Sequence, residues 1–411
     1  MYEDRRDADA APGEGGQQSL AAKKNPAARE ARPERSPRWA RLLVALGLLM
    51  MLLSGLTLAG GRFLADRYLG NVHQESLLGA AAAPRPVAVR PASAHALIDG
   101  PINLLLVGID ERVEDPSNGA RADSIIIVHI PASHDHVYLI SIPRDSQVEI
   151  PPYGRTGYPG GTDKINAAFA YGFLERGGRA GGFELLALTI NRLTGITFNA
   201  GAIVNFDGLR AVVDAVGGVS MCIDEQTASV HIGQDADGRL AAPYRLVPPD
   251  YHPVPIPGVR PQVYQVGCQP LAGWQALDYV RQRELIPDGD YGRQRHQQQL
   301  ISTLYKKIAK AGLLTDPLAT DRALRAVGDA VTFDGNGVSL PDWVMMLKNI
   351  EPNAITMVKT NGGQYNTQVI GGREFEFFTD VSKQMFAAAR NDTLATFVAA
   401  HPDWVNAAAT P

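Results

Sequence analysis

The stretch NLLLVGID, residues 103–110, is rich in leucine and valine and ends in an aspartate. Two similar runs follow, SIIIVHI at 124–130 and VYLISIP at 137–143. Runs this short that are rich in branched apolar residues predict buried strands, because ordinary helices are longer. The polar links between the runs carry no helical pattern, so we expect an antiparallel pair of strands followed by a second hairpin.

This strand order brings four polar residues to one edge of the predicted sheet. Two carboxylates beside a guanidinium suit a divalent cation that carries a phosphate. In the alternative interpretation, the first aspartate is a turn residue and the second keeps the strand edge from pairing wrongly. The four residues are Asp110 at the end of the first strand, Asp123 at the start of the second, and Arg144 and Asp145 after the third.

Helical and strand patterns alternate along the rest of the chain, which is typical of α/β proteins. Gly195 predicts a helix end, because glycine readily adopts the left-handed conformation of a C-cap. Thr162 or Asp163 and Asp207 are the predicted N-caps of two helices. The predicted fold class is therefore α/β, a three-layer α/β/α arrangement with a mixed central sheet. Helices are predicted at about 163–173, 183–195, 207–217, 270–280, 290–312, 316–329, 339–350 and 374–389, and further strands at 200–206, 219–223, 354–359 and 365–370.

The segment DYVRQRELIPDGDYGRQRHQQQL, residues 278–300, concentrates positive charge. Arg281 and Arg283 are two positions apart, so on an extended chain their side chains leave one face about 6–7 Å apart, which suits two adjacent phosphates. Arg293 and Gln297 are four positions apart on the predicted helix that follows, and they share a face near its start, where an anion is favoured. These four side chains predict a pyrophosphate site.

Lys164 lies at another predicted helix start, where a cation opposes the helix dipole by about 0.3–1 kcal/mol unless an anion is close. It therefore adds to the predicted site for a magnesium pyrophosphate. The alternative is a solvated charged face with salt bridges to Glu284, Asp288 and Asp290. Three histidines near a predicted turn are expected to be solvated rather than metal-bound, because no ligand set with suitable spacing accompanies them. They are His129, His134 and His136.

Residues 1–41 are rich in Ala, Gly, Gln, Pro and charged residues and predict a disordered tail. The run at 42–60 contains no charge over nineteen residues, about the length that crosses a bilayer. We therefore expect one transmembrane helix at 42–61 before the folded domain. The alternative, a buried core helix, seldom lacks a polar face altogether.

Basic residues are more frequent before this run than after it, which predicts a cytoplasmic N-terminus and an extracellular folded domain, with the chain held in the cell membrane by a single pass. A cleaved signal peptide is the alternative, but its apolar region covers only about 7–15 residues. Residues 62–98 include an Ala- and Pro-rich stretch and are expected to form an extracellular spacer.

Cys222 and Cys268 are the two cysteines of the chain and lie in the part predicted to be external, where disulfides persist. They predict a disulfide, although two unrelated buried thiols are the alternative. The bridge would tether the base of a Pro-rich insert at 225–267. The formal net charge of -4 argues against a nucleic-acid binder, which needs a basic surface for phosphate contacts.

Over about 100–312 the chain resembles the LytR-CpsA-Psr (LCP) phosphotransferases of Gram-positive and actinobacterial cell envelopes. The resemblance implies an LCP catalytic domain, assigned to 99–390, and leaves 391–411 as a C-terminal tail. The matching motifs, in the order of the family, are NLLLVGID, RADSIII, SIPRD, KINAAFAYG, NFDGLRAVVDAVGGV and VRQRE…DYGRQRHQQQL.

The resemblance implies transfer of a glycopolymer from a polyprenyl pyrophosphate carrier to peptidoglycan through a phosphodiester, with Mg²⁺ or Mn²⁺ as cofactor. The implied partners are the lipid-linked glycan, peptidoglycan and the membrane. Asp110 and Asp123 are the implied metal ligands. The predicted catalytic residues are Arg144, Asp145, Arg281 and Arg283. The implied pyrophosphate contacts are Arg144, Lys164, Arg281, Arg283, Arg293 and Gln297, and the polyprenyl tunnel is assigned to Phe169, Phe173, Leu186, Ile190 and Val204.

Two other functions are compatible with the same residues. One is a polyprenyl pyrophosphate sensor or attenuator without turnover, and the other is a hydrolase that uses water as the acceptor. The base for an acceptor hydroxyl is open between Asp145 and Asp123. The sequence contains no P-loop, G-x-S-x-G, H-E-x-x-H or G-x-G-x-x-G motif, which disfavours the corresponding nucleotide, serine and zinc enzymes.

Overall fold

The computed structural model describes residues 73–84, 99–110, 120–248, 251–310, 331–339, 342, 343, 346 and 350–407. Three predictions lie outside these ranges: the tail at 1–41, a transmembrane helix at 42–61 and a helix at 316–329. Within them, no helix combines the length and the apolar character needed to cross a bilayer.

A mixed sheet of seven strands forms the centre of the fold. In spatial order, the strands are β1, β15, β7, β2, β3, β4 and β16. Neighbours β1/β15, β7/β2 and β4/β16 are parallel, and the other neighbouring pairs are antiparallel. The strands cover His73–Gln74 (β1), Ile102–Asp110 (β2), Arg121–Ile130 (β3), Val137–Ser141 (β4), Ala200–Asn205 (β7), Val331–Asp334 (β15) and Ile355–Val358 (β16).

The three strands predicted from the apolar runs pair as expected. Leu105 lies opposite Ile127, and Ile127 lies opposite Ile140 in the next antiparallel pair. The pairing of β2 with β3 shifts after Gly108, which faces Ser124, so that Ile109 faces Ala122 and Asp123 is the extra residue of a β-bulge. The bulge lies at the edge of the sheet where the sequence places the carboxylate pair.

Seven α-helices with defined bounds accompany the sheet in the described ranges. They pack on both faces of the sheet, which confirms the predicted α/β fold with three layers. The helices are α1 (Ile165–Phe173), α2 (Gly178–Thr194), α3 (Phe206–Ala215), α4 (Gly273–Arg281), α5 (Gly289–Lys310), α6 (Asp380–Arg390) and α7 (Leu394–Ala400).

Side chains of β2 alternate between two separate cores, as the period of a strand requires. Leu105, Val107 and Ile109 pack with residues of α1, α2, α6 and α7. Ile102 and Leu104 pack on the other face with Trp343 and with side chains of α5. A third core joins α3, α4 and α5 to the antiparallel pair of strands β8 (Val219–Ile223) and β14 (Gly267–Leu271). Both faces of the sheet are therefore covered by helices.

The folded domain extends beyond both of its predicted limits. Leu77 and Leu78, in the predicted spacer, are buried in the main core, and β1 pairs with β15. Phe397 and Trp404, in the predicted C-terminal tail, are buried in the same core. The spacer prediction is therefore wrong for 73–84, and the tail prediction is wrong for 391–407. Both segments are too short to show a periodic pattern, and their burial depends on contacts far away in the sequence.

Several predicted caps are also corrected. The side chain of Asn205, not Asp207, caps α3 by accepting a hydrogen bond from the Gly208 N–H. Lys164 occupies the N-cap position of α1 without a side-chain cap, so neither Thr162 nor Asp163 has the predicted role. Gly195 ends α2 in the left-handed conformation, with φ of 72°, as predicted.

Two further predictions at the C-terminal end and near the hairpin turn are wrong in part. The helix expected at 374–389 begins only at Asp380, because Arg373–Glu376 forms a strand. His129 is fully buried, and its ring contacts Asn103 at 2.8 Å and Asp392 at 3.2 Å, so it is not solvated. Burial lowers the pKa of His129, although Asp392 opposes the shift.

The insert predicted at 225–267 consists mainly of strands. It is closed at its base by the antiparallel pair of β8 and β14, in which Cys222 and Cys268 face each other and form the predicted disulfide. The strands are β8 (Val219–Ile223), β9 (Thr227–Gln234), β10 (Leu240–Ala241), β11 (Tyr244–Val247), β12 (His252–Pro255), β13 (Arg260–Tyr264) and β14 (Gly267–Leu271). Two hairpins lie elsewhere, β5 (Gln147–Ile150) with β6 (Gly161–Lys164), and β17 (Thr367–Ile370) with β18 (Arg373–Glu376).

Replacing both Cys222 and Cys268 with serine is expected to lower the free energy of unfolding by about 2–4 kcal/mol, because the bridge restricts a long loop in the unfolded chain. Chemical denaturation of the oxidised protein and of the variant measures the difference. The wild-type protein under reducing conditions should match the variant. Equal stability of oxidised wild type and variant would show that the bridge contributes nothing.

Candidate active site

The ends of β2 and β4 and the start of β3 meet at a charged pocket of about 250 Å³. Asp110, Asp123 and Arg144 all line it, as the strand directions predict. The far side is closed by α3, α5, the end of α4 and two strands of the insert. The lining residues are Gly108, Asp110, Asp123, Ser124, Arg144, Phe206, His231, Leu246, Arg281, Arg283, Glu284, Arg293 and Gln297.

Asp123 is fixed by two arginines that come from distant parts of the chain. Nη1 of Arg144 donates to its carboxylate at 2.5 Å, and Nη2 of Arg293 donates to its backbone carbonyl at 2.8 Å. Because Asp123 is the bulged residue of β3, these contacts hold a side chain that the regular alternation of the strand would aim elsewhere. The bulge therefore sets where this carboxylate lies.

Arg144 is the most strongly held cation of the pocket. Its Nε lies 3.7 Å from Asp145 and 3.8 Å from Asp290, in addition to the bond to Asp123. Burial opposes the charge, but the three carboxylates outweigh it and raise the pKa of Arg144 above its ordinary value. Arg144 thus remains positively charged at any physiological pH, available for an anion in the pocket.

Arg281 and Arg283 both line the charged pocket, although their backbone differs from the predicted extended pair. Arg281 is the last residue of α4, and the chain becomes extended at Gln282. The Arg281 guanidinium lies 4.3 Å from the centre of the Phe206 ring, a cation–π contact that positions it. Arg283 donates to Glu284 at 2.9 Å.

Arg293 and Gln297 face the pocket from the first turns of α5, as their spacing predicts. The Arg293 side chain is only 7 % exposed and forms an ion pair with Asp290 at 2.7 Å. Gln297 accepts a hydrogen bond from the Ser124 hydroxyl at 2.8 Å. Helix α5 and strand β3 are thereby joined directly beside Asp123.

Lys164 and Asp145 lie beside the charged pocket rather than in its lining. The Lys164 ammonium contacts Asp145 at 2.8 Å and lies over the Phe375 ring, 5.9 Å from its centre. Both residues line a separate cleft, whose wall includes Tyr365 and the hairpin of β17 and β18. The sequence could not separate these two sites, because residues of both come from the same places. Arg144 and Asp145 both follow β4, and the start of α5 contributes to both sites.

An apolar cavity of about 370 Å³ adjoins the charged pocket. The two share Gly108, Ser124, Phe206, Arg281 and Gln297, so the cavity opens beside the guanidinium of Arg281. Its other lining residues are Leu106, Val107, Ile126, Val204, Asn205, Leu209, Val212, Leu277, Val280, Leu300, Ile301, Leu304, Ile308 and Val331. A charged mouth on an apolar cavity suits an amphiphile with an anionic head and a hydrocarbon tail.

Of the residues assigned to a lipid tunnel, Val204 alone lines this cavity. Phe169, Leu186 and Ile190 are buried in the main core, and Phe173 packs against that core. These four predictions are wrong for this cavity, because α1 and α2 cover the opposite face of the sheet. In sequence, a helix face packed on a sheet and a helix face that lines a cavity look alike.

Two lining residues from the insert were missed, His231 and Leu246. Strand β9 is attached to the end of α4 by buried hydrogen bonds, from the Val230 N–H to Gln282 at 2.9 Å and from Ser229 to Asp278 at 2.8 Å. Burial and the charge of Arg281 lower the pKa of His231. No sequence motif marks these residues, since the attachment depends on a polar network between distant segments.

Arg295, in the same basic segment, has a different role. It forms ion pairs with Asp224 at 2.8 Å, Glu225 at 2.5 Å and Asp288 at 2.6 Å. Asp224, Glu225 and the buried His296 have the residue types and spacing of a metal site. The guanidinium already neutralises these carboxylates, so the salt-bridge alternative holds for Arg295.

The charged pocket fits a divalent cation with a phosphate ligand. Asp110 and Asp123 supply carboxylate oxygens, the ligands that hard cations prefer. Four guanidinium groups line the pocket, those of Arg144, Arg281, Arg283 and Arg293, and their positive charge suits a phosphate.

Curated proteins with related sequences include two that are named for teichoic acid transfer and cell wall biosynthesis. The chain is 31 % identical over 216 residues to the polyisoprenyl-teichoic acid–peptidoglycan teichoic acid transferase TagU of Bacillus mycoides, a match that covers 52 % of this chain and 55 % of the relative. It is 32 % identical over 249 residues to the probable cell wall biosynthesis protein LcpB of Corynebacterium glutamicum, covering 57 % and 49 %. The chain thus spans about half the length of the curated relatives it matches.

Solved structures share the fold. Protein gbs0355 from Streptococcus agalactiae matches with a TM-score of 0.54 and 22 % identity, over 72 % of this chain and 88 % of that one. TagV of B. subtilis matches with a TM-score of 0.52 and 19 % identity, over 73 % and 99 %. The profile of the LytR_cpsA_psr family matches residues 79–391, which is most of the chain. The chain therefore belongs to the LytR_cpsA_psr (LytR-CpsA-Psr) family.

Proposed function

We propose that this protein transfers a glycopolymer from a polyprenyl pyrophosphate carrier to peptidoglycan and forms a phosphodiester, with Mg²⁺ or Mn²⁺ as cofactor. The observation that carries the proposal is the charged pocket opening into the apolar cavity, with Arg281 at the junction. A lipid diphosphate is the ligand class with a matching charged head and long hydrocarbon tail. The names of the TagU relatives, which include polyisoprenyl-teichoic acid and peptidoglycan, support the same chemistry.

The donor would lie with its diphosphate in the charged pocket and its first isoprene units in the cavity. Arg144, Arg281, Arg283 and Arg293 surround the pocket, and Gln297 lies at its mouth. Arginine suits this position because its planar fork contacts phosphate oxygens in pairs. The side chains of Leu209, Val212 and Ile301 would contact the hydrocarbon chain.

Asp110 and Asp123 are the residues that would hold the metal. A bound Mg²⁺ would act as a Lewis acid and neutralise charge on the phosphate oxygens. Arg144 already fixes one oxygen of Asp123, which orients the carboxylate before any ligand arrives. Preorganised charges of this kind stabilise a transition state without having to reorient during the reaction.

In the proposed reaction, an acceptor hydroxyl of peptidoglycan attacks the phosphorus that bears the glycan. A new oxygen–phosphorus bond forms, the bond from that phosphorus to the bridging oxygen breaks, and polyprenyl phosphate leaves. The arginines neutralise the negative charge that develops on the leaving phosphate. Asp145 and Asp123 are the candidate bases, and Asp145 is the more accessible, with 37 % of its side chain exposed against 19 % for Asp123.

We further propose that residues 42–61 anchor the chain in the cell membrane by a single pass, with the N-terminus in the cytoplasm and the catalytic domain outside. The uncharged run and its basic N-terminal flank support this orientation. The disulfide between Cys222 and Cys268 also suits an oxidising external compartment.

The experiment that tests this function combines the purified chain, a glycan-labelled polyprenyl diphosphate donor, Mg²⁺ and peptidoglycan. We expect the label to appear on peptidoglycan and polyprenyl phosphate to be released in equal amount. Release of polyprenyl phosphate without labelled peptidoglycan would indicate the hydrolase instead. Donor binding without any turnover would indicate the sensor.

Replacing Arg281 or Arg283 with alanine is expected to lower the transfer rate at least tenfold, since each change removes a charge-assisted contact of about 1.5–3 kcal/mol. Initial rates of label transfer measure the effect. Arg239→Ala, on an exposed pair in the insert, is the matched control and should transfer at the wild-type rate. Wild-type rates in both pocket variants would show that these arginines do not contribute to the transfer reaction.

A further inference from the structure

The cleft lined by Asp145 and Lys164 contains none of the residues proposed to bind the donor diphosphate, except Lys164 from the sequence prediction. It has a volume of about 80 Å³ and lies between the end of β4, the start of α5 and the hairpin of β17 and β18. Its lining residues are Pro143, Asp145, Lys164, Asp290, Tyr291, Gln294, Tyr365, Thr367, Glu374, Phe375 and Glu376. We call this set of residues the β17 cleft.

The β17 cleft is linked to the charged pocket through Arg144. It shares no lining residue with the cavity or with the charged pocket. Arg144, which lines the charged pocket, contacts the cleft through Asp145 at 3.7 Å and Asp290 at 3.8 Å. The cleft and the cavity therefore contact the charged pocket through different residues, the cleft at Arg144 and the cavity at Arg281. In a displacement at phosphorus, the attacking and leaving oxygens lie roughly in line on opposite sides, so a site separate from the cavity suits the acceptor.

The chemistry of the β17 cleft excludes a second phosphate site. Lys164 is the single basic residue among its lining residues, and its charge is already paired with Asp145. The acidic lining residues are Asp145, Asp290, Glu374 and Glu376. Asp290 pairs with Arg293, and the buried Glu376 accepts hydrogen bonds from other side chains. A ligand would therefore meet mainly the more exposed Asp145 and Glu374. Carboxylates repel phosphate but accept hydrogen bonds from the hydroxyl and amide groups of a sugar.

Tyr365 adds aromatic surface to the β17 cleft that a sugar ring can cover. It lines the cleft and is 57 % exposed. Tyr365 is fixed in place, because its hydroxyl accepts a hydrogen bond from the Asp290 N–H at 2.6 Å. Rigid aromatic surface beside hydrogen-bonding groups is typical of small-ligand sites that are formed before binding.

We propose that the β17 cleft binds the acceptor, an uncharged sugar unit of a glycan strand, and directs its hydroxyl past Asp145 toward Arg144. The proposal rests on the proposed function, since it assigns the second substrate of the same reaction. It gives Lys164 a role on the acceptor side, where it positions Asp145. It also gives the C-terminal hairpin a function that its sequence does not suggest.

Filling the β17 cleft should weaken acceptor binding without affecting the donor. Thr367 lines the cleft and is exposed, so Thr367→Trp places a large ring there and removes the hydrogen bond from the Thr367 hydroxyl to Glu376 at 2.9 Å. Gln368, its neighbour on the same strand, is exposed and does not line the cleft, so Gln368→Trp is the matched control. We expect Thr367→Trp to raise the KM for a soluble glycan-strand fragment at least tenfold, with the Kd for the lipid donor within twofold of wild type.

A charge reversal provides a second variant that leaves the strand packing unchanged. Glu374→Lys, at an exposed lining position, should also raise the acceptor KM tenfold, whereas Glu351→Lys, at an exposed position outside the cleft, should not. An unchanged acceptor KM in both Thr367→Trp and Glu374→Lys would overturn the proposal. Equal weakening of donor binding and acceptor binding would assign the cleft to the donor and would also overturn the proposal.

Direct binding separates this proposal from the proposed function. Calorimetric titration of the glycan fragment into the full chain needs no turnover. If the wild-type protein transfers nothing but binds the fragment, and Thr367→Trp binds it at least tenfold more weakly, the acceptor cleft stands while the transfer reaction fails. If transfer occurs but Thr367→Trp binds the fragment as wild type does, the transfer reaction stands while the acceptor cleft fails.

Discussion

Replacing Arg144 with alanine is expected to lower the rate of glycopolymer transfer at least 100-fold. The guanidinium contacts Asp123 and lies beside Asp145 and Asp290, so its loss removes a proposed phosphate contact and also releases the carboxylate proposed to hold the metal. Two charge-assisted contacts of about 1.5–3 kcal/mol each are then lost, and every 1.4 kcal/mol is tenfold in rate. Initial rates of label transfer from the lipid donor to peptidoglycan measure the effect.

The alanine variant is also expected to be less stable by about 1–3 kcal/mol, because the carboxylate of Asp123 loses its partner. Arg144→Lys provides a second test that keeps the charge. We expect it to fold normally and still transfer at least tenfold more slowly, since an ammonium cannot reproduce the planar fork. Arg192→Ala, at an exposed pair with Glu149, is the control for a lost surface salt bridge. A folded Arg144→Lys protein with wild-type activity would contradict the role of the fork.

Filling the apolar cavity is the second change with a large expected effect. Val212 of α3 lines the cavity and is half-buried, so Val212→Trp should occupy the space proposed for the first isoprene units. Each buried methylene contributes about 0.8 kcal/mol, and excluding one five-carbon unit costs about 3–4 kcal/mol. We therefore expect the affinity for long-chain polyprenyl diphosphate to fall at least 100-fold.

The chain length of the ligand makes this prediction specific. A diphosphate with a very short alkyl chain reaches only the charged pocket, so Val212→Trp should bind it with wild-type affinity. Val398→Trp, at a half-buried position of α7 on the other face of the sheet, is the matched control and should bind both ligands normally. If Val212→Trp weakened both ligands equally, the cavity would not be the lipid site.

The parts of the fold that are local in sequence were predictable. The apolar runs of β2, β3 and β4 give strands because their period and length allow little else, and the hairpins between them bring Asp110, Asp123 and Arg144 together. Arg293 and Gln297 share a helix face by the period of the helix alone. These positions depend on only one or two elements each.

The parts that depend on distant contacts were not predictable. Leu77 and Trp404 join the core through partners far away in sequence, and no local pattern marks them. Phe169 and Leu186 have the periodicity of any buried helix, which does not reveal which face of the sheet they cover. His231 reaches the charged pocket through a polar network between β9 and α4, and such networks leave no periodic signal.

The charged segment at 278–300 illustrates both outcomes. Arg281, Arg283 and Arg293 line the pocket, whereas Arg295 forms ion pairs with three carboxylates. Arg293 and Arg295 are two positions apart on α5, so they point to different sides of the helix. The sequence predicts that the two differ in direction, but only the positions of Asp224 and Glu225 decide which side holds the salt bridges.

Native mass spectrometry of the full chain with polyprenyl diphosphate tests most directly whether one lipid diphosphate occupies the two adjoining sites. We predict a one-to-one complex with the diphosphate lipid that requires Mg²⁺ or Mn²⁺, with much weaker binding of the monophosphate lipid. Arg281→Ala should weaken the binding of both short-chain and long-chain diphosphates, whereas Val212→Trp should weaken the binding of the long-chain diphosphate only. Equal binding of monophosphate and diphosphate lipids, or binding unaffected by either substitution, would contradict the proposed donor site.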